Sequence, residues 1–270
     1  MKADLRLLCA LAHPDDEAMG AGGLLARYAA EGVATHLVCA TRGERGWTGD
    51  PDAYPGPAAL GRVREAELRA AAAALGLRSV SFMDYLDGEL DRADSAEAIR
   101  KLVAAVRLVR PQVVVTFDPT GFYGHPDHIA IAQLTTAAVV AAADAEYAGA
   151  DDAPPHRVAK LYYLAPDHEV VADFAAAFGP LGIEVDRERR STPGWPAWAI
   201  SARIDATAHW RTAWRAVACH RSQLPAYERL AALPDELHAR LWGRQTLYRA
   251  FSFVGGGRAV EDDLFAGLRW

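Results

Sequence analysis

The chain has 270 residues, 51% of them hydrophobic, enough to bury a sizeable core and near the upper limit for one globular domain. A formal net charge of −6, without any Lys/Arg cluster interleaved with aromatic residues, argues against a nucleic-acid partner. The most membrane-like stretch, around 137–143, is short, Ala-rich and broken by Asp144 and Glu146, so no transmembrane span is expected.

Leu5 to Ala12 reads as a buried first strand. It is not a secretory leader, because Asp4 and Arg6 interrupt it and His13-Pro14-Asp15-Asp16 stands where a cleavage site should be. A helix from Gly20 to Ala30 ends at Gly32, and a strand follows from Val33 to Thr41. A helix from Ala58 to Leu75 stops at Gly76, a strand runs from Ser79 to Tyr85, and a helix from Ser95 to Val109 stops before Pro111. The fourth strand is Gln112 to Asp118, the next helix runs from Pro126 to Ala145 or so, and a fifth strand runs from Val158 to Ala165 after the polar linker Asp151 to Pro155. This alternation predicts an α/β fold with a Rossmann-like, mostly parallel sheet and helices on both faces. After Pro166 the pattern weakens into Pro- and Trp-rich sequence with helices at Ala206 to His220 and Pro225 to Trp242. The expected organisation is one domain over 1–270, with a core at 1–165 and a helical or irregular C-terminal elaboration at 166–270. Gly255-Gly256-Gly257 lacks the Lys of a phosphate-binding loop and reads as a turn. Cys9, Cys39 and Cys219 are odd in number and without CxxC spacing, as suits small core residues in a reducing cytoplasm.

Two short sequences carry chemistry. The first strand runs into His13-Pro14-Asp15-Asp16-Glu17, and the fourth runs through a glycine-containing loop into His125-Pro126-Asp127-His128. Each places a His at the strand end, a Pro at the first helical position and an Asp in the first turn, where the helix dipole favours a carboxylate. Loops after parallel strands converge in the crevice at the strands' carboxyl ends. Three residues apart in a turn, His13 and Asp16 can share one face, and His128 adds a third donor from the second loop. Two imidazoles and one carboxylate with an open position form a catalytic Zn2+ site, one per chain, although Fe2+ or another divalent metal accepts similar donors. Zinc brings the pKa of a bound water to about 7, and Asp15, not needed as a ligand, is placed to take its proton. His125 beside Asp127 is expected to favour the protonated imidazole, suited to a leaving amine or an oxyanion, and Tyr123 offers a phenol to the same oxyanion. A single His or Asp at a helix start is more often a cap than a ligand. Two His-Pro-Asp sequences, each after a predicted parallel strand, favour the metal reading.

These motifs, with Ala12 before the first, resemble those of the PIG-L/LmbE-like zinc-dependent N-deacetylases, relatives of the mycothiol and bacillithiol biosynthetic deacetylases. The resemblance covers most of the first 130 residues. It implies a hydrolase that removes an N-acyl group, in most members N-acetyl, from a small polar glycoconjugate of N-acetylglucosamine type, in a family whose members often form homo-oligomers. It assigns His13, Asp16 and His128 to the metal, Asp15 to the base and His125 with Asp127 to a catalytic pair. Further matches are Thr41 to Gly46, Arg64 with Glu67, Asp87 to Leu90 and His220 to Gln223. The family counterparts of Arg64 and Asp87 contact sugar hydroxyls or a phosphate, and Glu44 joins them as a candidate for substrate binding. The plainer reading makes Arg64 a helix-surface partner of Glu67 and Asp87 a turn residue. His220 either reaches the rim of the site or ends its helix. Trp195, Trp198, Trp210, Trp214 and Trp242 either line a carbohydrate-stacking cleft or fill the core. Three rivals compete: an amidase for a thiol conjugate or other non-sugar amide, a non-haem iron oxygenase using His13, Asp15 and a distant His, and a sugar- or metal-binding module without turnover. The strand–helix alternation weighs against the oxygenase, and the intact Asp15 against the inactive module.

Overall fold

The computed structural model describes residues 4–147, 153–180, 182–224, 230–255 and 257–269. Its framework is β1 (Arg6–Leu11), α1 (Asp16–Met19), α2 (Gly22–Ala30), β2 (Ala34–Thr41), α3 (Pro57–Leu75), β3 (Ser79–Tyr85), α4 (Ser95–Val109) and β4 (Val113–Phe117). A distorted turn, α5 (Gly121–Gly124), leads into α6 (Pro126–Ala141) and β5 (Lys160–Leu164). The strands at the centre are the near-continuous apolar runs of the sequence: β4 and β5 are buried along their whole length, because helices cover both faces of a parallel sheet. Local signals set the helix ends where expected. The Asp94 side chain caps α4 by accepting the Glu97 amide hydrogen at 2.8 Å, and Arg110 closes it in the left-handed region just before Pro111.

The seven-stranded sheet has the order β3-β2-β1-β4-β5-β9-β8. β1 to β5 are parallel, so the chain winds outward from β1 to β3 and then returns to β4 on the other side of β1. That reversal opens a crevice at the carboxyl ends of β1 and β4, where both motifs lie.

The C-terminal part departs from the helical or irregular expectation. It contains α7 (His168–Phe178), the hairpin β6 (Gly182–Val185) with β7 (Glu188–Ser191), β8 (Ala202–Asp205), α8 (Trp210–Val217), α9 (Asp235–Gly243) and β9 (Arg244–Ser252). β9 and β8 continue the main sheet in antiparallel fashion. β9 escaped the sequence reading because Arg244, Gln245, Tyr248 and Arg249 dilute its apolar alternation, and its pairing with β5 is made by backbone groups that carry no sequence signal. Residues 225–229, where a helix was expected to begin, lie outside the described residues, as do residues 151–152 of the linker and Gly256 of the expected turn. Cys9 and Cys39 are buried strand residues, as predicted. Among the described residues no helix is long and apolar enough to cross a membrane.

Helix α2 is locked to the C-terminal part by close contact. A Cβ on Gly23 of α2 would lie 1.9 Å from the Trp242 carbonyl oxygen and 3.1 Å from Ala206 Cβ. Trp242 is itself buried, so its backbone cannot retreat toward solvent. Gly23→Ala is therefore expected to destabilise the fold by about 1–3 kcal/mol, read as a lower urea midpoint at unchanged slope. An unaltered midpoint would mean that α2 and α9 are not packed this tightly.

Candidate metal centre

The first motif folds differently from a helix start. Pro14 precedes the helix, and Asp15 sits in the left-handed region (φ 106°, ψ −26°) ahead of the single turn α1. A non-glycine residue there costs about 1–3 kcal/mol and persists where its surroundings over-determine it. Here they do. Asp16 Oδ2 accepts the amide hydrogens of Ala12 (3.1 Å) and His13 (2.7 Å), and Glu17 Oε2 accepts that of Asp15 (3.0 Å). Arg64 donates to the Pro14 carbonyl and to Asp15 Oδ2, at 3.2 Å for the latter. His220 Nε2 lies 2.6 Å from Glu17 Oε1, with both residues fully buried. His220 thus stands behind the Asp15 turn, not at the rim, and Glu17 is the link that sequence reasoning missed. Burial disfavours the His220 cation, but the Glu17 carboxylate outweighs it and raises its pKa.

The second motif behaves as expected of a helix start. Pro126 occupies the first turn of α6, and His125 Nδ1 accepts the Asp127 amide hydrogen at 3.2 Å. Upstream, Asp118 at the end of β4 holds the loop through the Phe122 amide (2.8 Å) and the Thr120 hydroxyl (3.0 Å).

The two loops bring three donors together. His13 Nδ1 is 3.2 Å from His128 Nε2 and 3.7 Å from Asp16 Oδ2, and His128 Nε2 is 3.5 Å from Asp16 Oδ1. Ligand atoms about 2.1 Å from a tetrahedral zinc lie about 3.4 Å apart, so this triangle fits such an ion. His13 Nε2 faces Asp127 Oδ2 and Asp87 Oδ1, both at 3.1 Å, which leaves Nδ1 for a metal and gives the carboxylate-imidazole-metal arrangement common in such sites. His13, Asp87 and Asp127 also cluster within 4.8 Å, as do His13, His125 and His128. The first of these sets surrounds Nε2 and therefore orients the ring. His128 stacks on Phe117 at 3.9 Å, and its Nδ1 has no hydrogen-bond partner among the described residues.

The electrostatics correct one expectation. Burial disfavours the His13 cation, yet hydrogen bonds to Asp127 and Asp87 and the charge of Asp16 raise its pKa to about 10 without a metal. Asp127, fully buried, makes its ion pair with His13 and accepts the amides of Gly88 (2.7 Å) and Leu90 (3.1 Å), so the expected charge pair with His125 does not form. His125 is instead lowered to about 4 by burial and by the neighbouring His13 and His128, and it is neutral at neutral pH. Burial raises the Asp15 carboxyl against the opposing pull of Arg64, whereas the His128 and His13 charges hold Asp16 below the usual range despite its burial. Asp87 is lowered to about 2, burial being overcome by its bond to His13.

Beside the triangle lies a cavity of about 490 Å³ whose wall includes His13, Asp15, Asp16, Arg64, Asp87, Tyr123, His125 and His128. Burial keeps the Tyr123 phenol protonated, and its ring lies 5.3 Å from that of His128. Arg64 is not on a helix surface and does not pair with Glu67, which instead accepts the amide (2.8 Å) and hydroxyl (2.6 Å) of Ser222. Asp87 serves His13 and the Arg45 amide. Glu44 braces the amides of Arg42 and Asp87 at 3.3 Å, and the described cavity wall does not include it. Nor does that wall include any of the five tryptophans proposed for stacking. Trp210 and Trp242 are core residues, Trp214 packs 6.1 Å from Trp242, Trp198 is 87% exposed, and Trp195 donates to Asp118.

A two-His, one-Asp triangle beside the half-buried Asp15 carboxylate, at the switch point of a parallel sheet, is a donor set suited to a metal-dependent hydrolase. The chain belongs to the PIG-L family, described as GlcNAc-PI de-N-acetylase, whose model matches residues 8–139. It is a hydrolase of the N-deacetylase type. It is 33% identical to a 1D-myo-inositol 2-acetamido-2-deoxy-α-D-glucopyranoside deacetylase from Thermobispora bispora, over 98% of this chain and 99% of the relative. A deacetylase of the same name from Thermobifida fusca is 36% identical over 97% and 99%. Among solved structures, a conserved protein from Thermus thermophilus aligns at 27% identity and a TM-score of 0.64, covering 93% of this chain and 97% of the other. The 4-carboxy-2-hydroxymuconate hydratase from Pseudomonas putida aligns at 24% and 0.67, covering 94% and 100%. That likeness concerns the fold alone, and a fold does not fix a reaction.

Proposed function

We propose that the protein is a zinc N-deacetylase that hydrolyses 1D-myo-inositol 2-acetamido-2-deoxy-α-D-glucopyranoside, or a closely similar N-acetylglucosamine glycoside, to the free amine and acetate. The observation that carries this reading is the donor triangle of His13, Asp16 and His128 beside Asp15. It occurs in a chain that matches deacetylases of that glycoside over nearly its whole length. We read 1–270 as one domain, because β8 and β9 extend the same sheet.

His13 through Nδ1, Asp16 and His128 through Nε2 would hold the metal. When bound, zinc supplies a Lewis acid for the amide carbonyl and a water acidified to a pKa of about 7. Asp15 accepts the water's proton as its oxygen adds to the carbonyl carbon, then passes a proton to the departing nitrogen. The left-handed turn and Arg64 fix the direction of that carboxylate. Because His125 Nδ1 accepts a backbone hydrogen, the neutral ring carries its proton on Nε2 and donates it to the developing oxyanion, joined by the Tyr123 phenol. Asp87 and Asp127 hold His13 in the orientation that leaves Nδ1 free.

The test is a zinc-supplied assay for freed amine with fluorescamine on the inositol glycoside, on N-acetylglucosamine and on N-acetylated peptides as controls. Of these three the glycoside is expected to have the highest kcat/KM, and inertness toward it alongside turnover of a non-sugar amide would overturn the reading. His125→Ala is expected to lower kcat by about 10²–10³-fold with KM and zinc content little altered, since the donor it removes acts on charge formed in the transition state.

A further inference from the structure

The cavity is chemically divided, and the sheet order says how. On the β2–β3 side of the metal donors its wall is polar, with Arg64, Asp87, the Gly46 backbone and Gln223, whose amide donates to the Gly46 carbonyl at 2.6 Å. On the β5–β9 side the wall has the apolar side chains of Leu164, Val170, Phe174 and Leu241, joined by Met19 of α1, and its polar members are Arg244, Gln245 and Thr246 of β9. Leu164, Val170, Phe174 and Leu241 are all less than a tenth exposed. These polar members are engaged: Arg244 is paired with Glu169 at 2.8 Å and lies 3.4 Å from Asp167, the Gln245 amide donates to the Arg244 carbonyl at 3.3 Å, and the Thr246 hydroxyl is occupied by the Ala165 carbonyl and the Asp167 amide. The donor triangle, from the ends of β1 and β4, sits between the two halves.

An amide whose carbonyl carbon lies at the triangle must extend in two opposite directions, the nitrogen with its sugar one way and the acyl carbon chain the other. A sugar matches the polar half. An acetyl methyl does not account for five apolar side chains, and water left against them is poorly bound. We infer that the β5–β9 half is an acyl-chain site and that the enzyme hydrolyses N-acylglucosaminides carrying linear chains longer than acetyl, in preference to acetyl itself. This inference rests on the deacylase reading and names the acyl half of its substrate class. The reaction is the same: the C–N bond breaks, the water oxygen joins the acyl carbon to give a fatty carboxylate, and the amine leaves with the transferred proton.

The experiment is a chain-length series on the zinc-loaded protein with N-acetyl, N-butanoyl, N-hexanoyl and N-octanoyl forms of one glucosaminide. In parallel, acetate, hexanoate and octanoate are compared as ligands by thermal shift. Each buried methylene is expected to raise kcat/KM by roughly fourfold until the arm is filled. Hexanoate should raise the melting temperature at concentrations where acetate does not. Val170→Trp, which fills the arm, should bring the hexanoyl-to-acetyl rate ratio of that variant toward one. Acetyl turnover with rates falling along the series overturns the acyl-chain site and leaves the deacetylase intact. No turnover of any member, with carboxylate binding that still rises with chain length, supports the arm and overturns the deacylase reading. A flat response in both measurements overturns the arm.

Discussion

Asp15→Asn is expected to lower kcat by about 10²–10⁴-fold while bound zinc stays near one per chain and the melting temperature moves little. Asn rather than Ala is the informative replacement. The residue sits at φ 106°, a region that Asn tolerates better than Ala, so Asn avoids adding backbone strain to the loss of the base. The amide is also close in size and can keep an oxygen toward Arg64, whose guanidinium lies 3.2 Å from the native carboxylate. What Asn cannot do is accept a proton from water. Measured by steady-state kinetics, metal analysis and calorimetry on the same preparation, the variant separates three roles. Lost activity with retained metal assigns the base, and joint loss of metal and activity makes Asp15 a ligand. Activity within tenfold of the parent sinks the base assignment.

The residues read most easily in the sequence are those whose signal is local. His13, Asp16 and His128 stand out because a His-Pro-Asp run after an apolar strand is visible within a few positions, and α4 could be bounded to the residue because Asp94 and Pro111 punctuate it. The partners of those residues were not legible in the same way. Asp127 seemed paired with His125, two positions away, yet its carboxylate crosses to His13 of the other loop, 114 residues distant. Glu17 and His220 meet across 203 residues, and no spacing rule announces such a pair. Arg64 is a substrate-binding candidate whose plainer reading is a helix-surface pair with Glu67, one turn on, but α3 turns that face inward toward Pro14. Glu44 is a candidate for substrate binding because its segment matches, and its carboxylate ties its own loop to the Asp87 loop by accepting the Arg42 and Asp87 amides. The first-turn equivalence of the two motifs also failed. Asp16 satisfies backbone amides that lie before it, which pulls Asp15 into the left-handed region instead of letting Pro14 begin a helix. Tertiary hydrogen bonding overrode local propensity at the place where the base is held.

His128→Ala is expected to remove zinc to a small fraction of one per chain and to cut kcat/KM by at least about 10³-fold, more than any change among the groups that orient the ligands. Asp87→Asn, which weakens one of two carboxylate contacts to His13 Nε2, should fall in the 10–100-fold range typical of such supporting partners. The ratio between the two variants tests whether His13 coordinates through Nδ1, because coordination through Nε2 would make Asp87 a ligand and its loss as severe as that of His128. Chelation of the parent enzyme should abolish activity without unfolding it. In the metal-free site the imidazolium of His13, with its pKa raised to about 10, stands against Asp16, Asp87 and Asp127, so the buried carboxylates are not left without a compensating charge. Added zinc should then restore turnover and stabilise the fold by about 4 kcal/mol at a free concentration 1,000-fold above its dissociation constant, read as a concentration-dependent rise in melting temperature. Binding at neutral pH must displace the His13 proton, so the same titration in two buffers of different ionisation enthalpy should show proton release. Full activity in a chelated sample shown to be metal-free would overturn the metal assignment.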